Sequence, residues 1–161
     1  MLYGIPPHLP AELLHALASM GHGDEIVLVD ANYPAAADAR RTHVGHPIEL
    51  AGRDLPAATA DVLALMPLDA FDDAPVRLMA SPGAAAPPSV HRDVAALLAS
   101  VPGGPWTPAT LERFAFYERA RTAFALVRTL ERRPYGNVFL KKGVLTPDGA
   151  LMTPALASAV D

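Results

Sequence analysis

His22 lies between Gly21 and Gly23, so small neighbours on both sides leave its imidazole open to a ligand. The ordinary titration range of histidine suits the movement of a proton near neutral pH. Asp30 closes the apolar run Ile26-Val27-Leu28-Val29, and ligands in open α/β sheets sit beyond the carboxyl ends of the strands. The block Arg113-Phe114-Ala115-Phe116-Tyr117-Glu118-Arg119-Ala120 brings arginines, a carboxylate and aromatic rings close together. Such a mixture binds sugars: planar guanidinium and carboxylate groups hydrogen-bond hydroxyls, while ring faces cover the apolar C–H side. Tyr135-Gly136-Asn137 adds a phenol and an amide around a glycine turn.

Each of these features also has a plainer reading. His22 can be an exposed loop residue, Asp30 the cap of a turn with Asn32 and Pro34, the aromatic block a helix with a core stripe, and Tyr135-Gly136-Asn137 only a turn. His8, His43, His46 and His91 match no zinc spacing and read as surface histidines, so no metal is expected. Lys141-Lys142 reads as a solvated pair at a strand end. Neither a G-x-x-x-x-G-K-S/T loop nor a G-x-G-x-x-G turn is present, and no G-x-S-x-G elbow occurs.

The elements that must position these groups follow from apolar periodicity and breakers. Leu13, Leu14 and Leu17 share a helix face between Pro10 and Gly21. Strands are expected over Glu25–Asp30, Pro47–Leu50, Val76–Ala80, Phe124–Val127 and Val138–Leu140. Helices are expected from Leu55, capped by Asp54, to about Met66, over Val90–Ser100, and through Phe114, Tyr117 and Ala120 with Thr107 or Thr110 as cap. Ser81–Ser89 reads as loop. Strands alternating with helices predict an α/β fold, a single-domain three-layer α/β/α sandwich with a mostly parallel sheet.

The 161 residues suit one domain, and thirteen basic against seventeen acidic residues give a net charge of -4. Without clustered cations, a grip on nucleic acid is not expected. The absence of cysteine removes disulfide and zinc-thiolate chemistry. No apolar run reaches the roughly 18 to 20 residues that span a bilayer, so no membrane partner and a cytoplasmic setting are expected.

Met20-Gly21-His22-Gly23-Asp24-Glu25-Ile26, Asp30-Ala31-Asn32-Tyr33-Pro34, the Arg113–Ala120 block and the run from Tyr135-Gly136-Asn137 to Lys141-Lys142-Gly143-Val144 occur in this order along the chain. Together they resemble the L-fucose mutarotase and D-ribose pyranase family, and the third and fourth motifs resemble its fucose branch. The resemblance implies a mutarotase-like α/β domain over 1–145, with 146–161 as a C-terminal extension. It implies a subunit that assembles into rings, often decamers, with sites near subunit contacts and no cofactor. It implies interconversion of the α and β anomers of L-fucose or a related monosaccharide by general acid-base ring opening. By the same resemblance His22 is the proton donor, and Asp30, Arg113, Tyr135, Gly136 and Asn137 bind the sugar. The alternative is a non-catalytic monosaccharide-binding protein that assists transport or regulation.

Overall fold

The apolar run after His22 forms strand β1 (Glu25–Val29), buried from Ile26 onward because helices cover both faces of the sheet. The computed structural model describes residues 2–83 and 86–159. Residues 84 and 85 of the expected Ser81–Ser89 loop, and residues 160 and 161 of the expected extension, therefore lie outside the described residues.

In chain order, helix α1 (Ala11–Ser19) precedes β1, and α2 (Ala35–Asp38) with a short 3-10 turn (Ala39–Arg41) follows it. Strand β2 (Ile48–Glu49), helix α3 (Leu55–Leu63), strand β3 (Val76–Met79) and helix α4 (Ser89–Leu98) come next. Strand β4 (Ala109–Leu111), helix α5 (Arg113–Ala120), strands β5 (Ala125–Arg128) and β6 (Val138–Lys141), and helix α6 (Pro154–Ala157) complete the order. The expected helix capped by Thr107 or Thr110 starts later. Residues 109–111 pair with β3 as an edge strand, and Glu112 caps α5, its carboxylate accepting from the N–H groups of Phe114 (2.7 Å) and Ala115 (3.1 Å). Edge pairing takes a segment that helix periodicity alone would claim.

Among the described residues, six strands form one sheet in the order β2-β5-β1-β6-β3-β4. All run in one direction except β6, which is antiparallel to both β1 and β3. Alternation along the strands splits the core into two layers. Ile26, Leu28, Val127 and Leu140 face Leu13, Leu55, Val62 and Val94 of α1, α3 and α4. Val27, Val29, Leu126 and Phe139 face Phe116, Ala120 and Ala35 of α5 and α2, with the Phe116 and Phe139 rings 4.5 Å apart. This is the three-layer α/β/α sandwich expected, with a mostly parallel sheet. Each fully buried Leu, Val, Ile or Phe contributes about 1.5–3 kcal/mol. Among the described residues, no helix is long and apolar enough to cross a membrane.

The end of β6 is not a solvated pair. Lys142 Nζ donates to the carbonyls of Leu17 (2.8 Å) and Met20 (2.6 Å), closing the carboxyl end of α1. Lys141 Nζ meets Asp72 Oδ2 at 2.9 Å and Asp69 Oδ2 at 3.3 Å. Gly143 lets the chain around Leu68 pass close by: a Cβ there would lie 2.3 Å from the Leu68 carbonyl oxygen and 2.8 Å from Asp69 Cα. Both obstacles are backbone, so Gly143→Ala is expected to destabilise the fold by roughly 1–3 kcal/mol, the usual range for overpacking. A urea melt checks this, and an unchanged midpoint would contradict the close approach.

Candidate active site

Beyond the carboxyl end of β1, Asp30 and Asn137 lock to each other. The Asp30 N–H donates to Asn137 Oδ1 and Asn137 Nδ2 donates to Asp30 Oδ2, both at 2.9 Å. The Asn32 N–H donates to Asp30 Oδ1 at 2.9 Å, so the turn-capping reading of Asp30 holds as well. Both side chains are buried. Burial raises the Asp30 carboxyl above the usual carboxylate range, against the bonds from Asn32, Asn137 and the Tyr33 backbone, and the nearby Glu131 charge adds to the rise.

The turn carrying Asn137 is held in an uncommon shape. Tyr135 adopts φ +63°, and a Cβ on Gly136 would lie 2.5 Å from Glu131 Cγ and 3.1 Å from the Arg133 carbonyl oxygen. Gly136 therefore serves the site through its lack of a side chain. His91 of α4 donates from Nε2 to the Tyr135 carbonyl at 2.9 Å; burial lowers its pKa, opposed by that bond. The expectation of a surface His91 is thus corrected, because α4 turns that face toward the turn. Glu131 is only 3% exposed and accepts from the Arg133 guanidinium (2.9 and 2.7 Å) and from the N–H groups of Arg132 and Arg133. The bond from the Arg133 side chain, against burial and helped by the N–H groups of Arg133 and Leu55, holds its carboxyl down to about 2.

Across the cleft, Arg113 opens α5, its guanidinium 4.7 Å from the Phe114 ring. Its Nε is buried without a hydrogen-bond partner among the described residues. A buried donor with no acceptor is costly. Tyr33 and Tyr117, with ring centroids 5.2 Å apart, line one wall, and Tyr135, Pro134 and Met79 line another. The Tyr33 hydroxyl donates to Asp38 at 2.9 Å, and burial with the Asp38 charge pushes its pKa far up, so it offers its ring and no proton. The cleft holds about 200 Å³. That is below the ~300–1,000 Å³ of drug-sized sites and suits one small molecule.

The Arg113 block divides by helix face: Arg113 and Tyr117 line the cleft, while Phe116 and Ala120 enter the core. Phe114 is exposed, and Arg119 binds Glu25. Asp30, Arg113, Tyr135 and Asn137 thus meet as expected, with Gly136 behind them. Tyr33, Tyr117 and Met79 were legible only as motif neighbours or a strand end, and His91 and Glu131 carried no local signal.

His22 stands elsewhere. It precedes β1, and β1 at ~3.3 Å per residue puts about 13 Å of strand between Glu25 and Val29, with Asp30 farther still. Its Nε2 lies 3.0 Å from Asp69 Oδ1, and its ring is tilted against Phe71 at 5.7 Å. One chain does not bring His22 to Asp30. Among the described residues no group of three or more His, Cys, Asp or Glu could hold a metal ion.

A three-layer α/β domain with a small cleft at a strand's carboxyl end, walled by tyrosines and furnished with Asp, Asn and Arg, defines a binding fold for a compact polyhydroxylated ligand. Residues 3–145 match the RbsD / FucU transport protein family. The chain belongs to this family. It is 42% identical over 145 residues to the L-fucose mutarotase of Actinobacillus pleuropneumoniae serotype 5b (strain L20), covering 89% of this chain and 97% of that one. It is 43% identical over 150 residues to the fucose mutarotase of Mus musculus, covering 89% and 95%. Its fold matches the crystal structure of the fucose mutarotase of Streptococcus pneumoniae in complex with L-fucose, with TM-score 0.80, 36% identity, and coverage of 90% of this chain and 100% of that chain.

The Glu131 cluster makes the turn acid-sensitive. A carboxyl at about 2 in the folded chain and about 4.5 in the unfolded chain adds stability that is complete above about pH 4.5 and lost as pH falls toward 2. Glu131→Gln is expected to be less stable at neutral pH and to show a flatter acid limb in thermal melts from pH 7 to 2. A variant with the wild-type slope would contradict this assignment.

Proposed function

We propose that the chain is a sugar mutarotase that interconverts the α and β anomers of L-fucose or a related monosaccharide. The observation that carries this reading is one small cleft lined by Asp30, Arg113, Tyr135 and Asn137, in a chain about 40% identical to proteins named fucose mutarotase. Ring opening requires the anomeric hydroxyl to lose a proton and the ring oxygen to gain one. The C1–O5 bond then breaks to give the open aldehyde, C1 turns about its bond to C2, and reclosure returns both protons. One acid-base group can serve both transfers, and in this reading His22 is that group. Arg113, Asp30, Tyr135 and Asn137 grip the hydroxyls, and the tyrosine rings cover a C–H face.

Because His22 and the cleft occupy opposite ends of β1, the working site pairs His22 of one copy with the cleft of another. Such a contact joins two different surfaces, which generates a ring when the rotation between copies closes, and this fits a homo-oligomer and the decamer that the family resemblance implies. The enzyme then acts on free monosaccharide in the cytoplasm.

Saturation-transfer NMR on α and β L-fucose tests the activity. Wild type is expected to accelerate exchange, and His22→Ala to lose roughly 10²- to 10⁴-fold, the usual contribution of general acid-base catalysis. Arg113→Ala is expected to be similarly impaired. Mixing the two variants after dissociation should restore roughly a quarter of wild-type activity, since random assembly puts intact His22 beside an intact cleft at about one site in four. No recovery would contradict the shared site, and sugar binding without faster exchange would make the chain a non-catalytic binder.

A further inference from the structure

At the amino end of β1, Asp69 is a loop carboxylate only 2% exposed. Both of its oxygens face donors. Oδ1 lies 3.0 Å from His22 Nε2 and accepts the Phe71 N–H at 3.1 Å, while Oδ2 lies 3.3 Å from Lys141 Nζ. Its own N–H donates to the Lys141 carbonyl at 3.1 Å, and the space beside Gly143 allows that approach. With donors on both sides, Asp69 has no acceptor for a proton of its own and acts as an acceptor only. The hydrogen shared with His22 therefore sits on Nε2.

His22 makes no other hydrogen bond among the described residues, and its side chain stays 46% exposed. A neutral imidazole that donates from Nε2 has its free lone pair on Nδ1. The Phe71 ring lies tilted beside it, with centroids 5.7 Å apart.

We infer that Asp69 is a positioning residue that fixes the tautomer of His22, so that Nδ1 is the nitrogen that takes and returns the sugar proton. This inference rests on the proposed role of His22. Asp69 itself does not touch the cleft that holds the sugar, so its loss acts on proton transfer and little on binding. The arrangement follows the general pattern of a base held in register by a buried carboxylate.

Long-range ¹H–¹⁵N correlation on the labelled full-length protein, at a pH where His22 is neutral, reads the tautomer without any substitution. The His22 signals are identified by their loss in His22→Ala. The expected result is a hydrogen on Nε2, and a hydrogen on Nδ1 overturns the inference. Anomer exchange gives the second readout. Asp69→Asn is expected to lower kcat by roughly tenfold or more, part of the ~10²- to 10⁴-fold that acid-base catalysis supplies, with KM for L-fucose within about twofold. Asp69→Glu, which keeps a carboxylate, is expected to recover part of that loss. Wild-type kcat in a folded Asp69→Asn, with His22→Ala inactive, overturns this inference alone. Wild-type exchange in His22→Ala overturns the role of His22 itself, and the positioning role with it.

Discussion

Strand β6 is hydrogen-bonded along both edges, antiparallel to β1 through Ile26↔Leu140 and Leu28↔Val138 and to β3 through Val76↔Leu140 and Leu78↔Val138. Reversed relative to the other strands among the described residues, it runs from the carboxyl end of β1 to the amino end. Its entry carries Tyr135-Gly136-Asn137 to the carboxyl end of β1, and its exit carries Lys141, Lys142 and Gly143 to the amino end. A parallel strand in that place would deliver neither end where it is needed. Both groups of polar side chains therefore depend on the register of a few apolar residues, and a slip of one residue would move Phe139 out of its layer and both ends out of place.

The two ends are held by different electrostatics. At the Asp30 end, burial raises the pKa of a carboxylate whose partners are mainly amide groups, and the nearest strong ion pair, Glu131 with Arg133, serves to shape the turn. At the His22 end, Lys141 bridges Asp69 and Asp72, and Arg77 adds to Asp72. Burial would raise the Asp72 carboxyl, but the bonds from Lys141, the Ala74 N–H and Arg77 together hold it well below the usual range. The cleft keeps polar groups available to a ligand, whereas the other end spends its charges on holding loops in place. That division suits a site in which one surface grips the sugar and the other presents a single titratable ring.

Much of this was legible residue by residue. Val27 and Ile26 on opposite faces of β1 follow from an uninterrupted apolar run, and Asp30 at its end follows from the chain having to leave the sheet there. Arg113 and Tyr117 share a cleft because they lie four apart on a helix. The roles of Lys141 and Lys142 were not legible, because their partners at Asp69, Asp72, Leu17 and Met20 are distant in sequence and meet them only through β6. His91 was misplaced for the same reason, and Glu131 carried no signal: a helix histidine or a charged residue looks solvated until a segment from elsewhere packs against it.

By itself, the sequence determined the periodicities of strands and helices, the chemical types present at His22, Asp30, Arg113 and Tyr135-Gly136-Asn137, and hence the class of ligand those types can hold. Local patterning suffices for that, since apolar spacing and side-chain chemistry are properties of short segments. Only the tertiary structure decided which of those groups share a cleft. It joined Asp30, Arg113 and Asn137 across more than a hundred residues, left Arg113 Nε without a partner, and set His22 beside Asp69 at the far end of the same strand. The reason is geometric: residues a few positions apart on an extended strand are carried to opposite ends of it, while residues far apart in sequence meet wherever the sheet order brings their loops together.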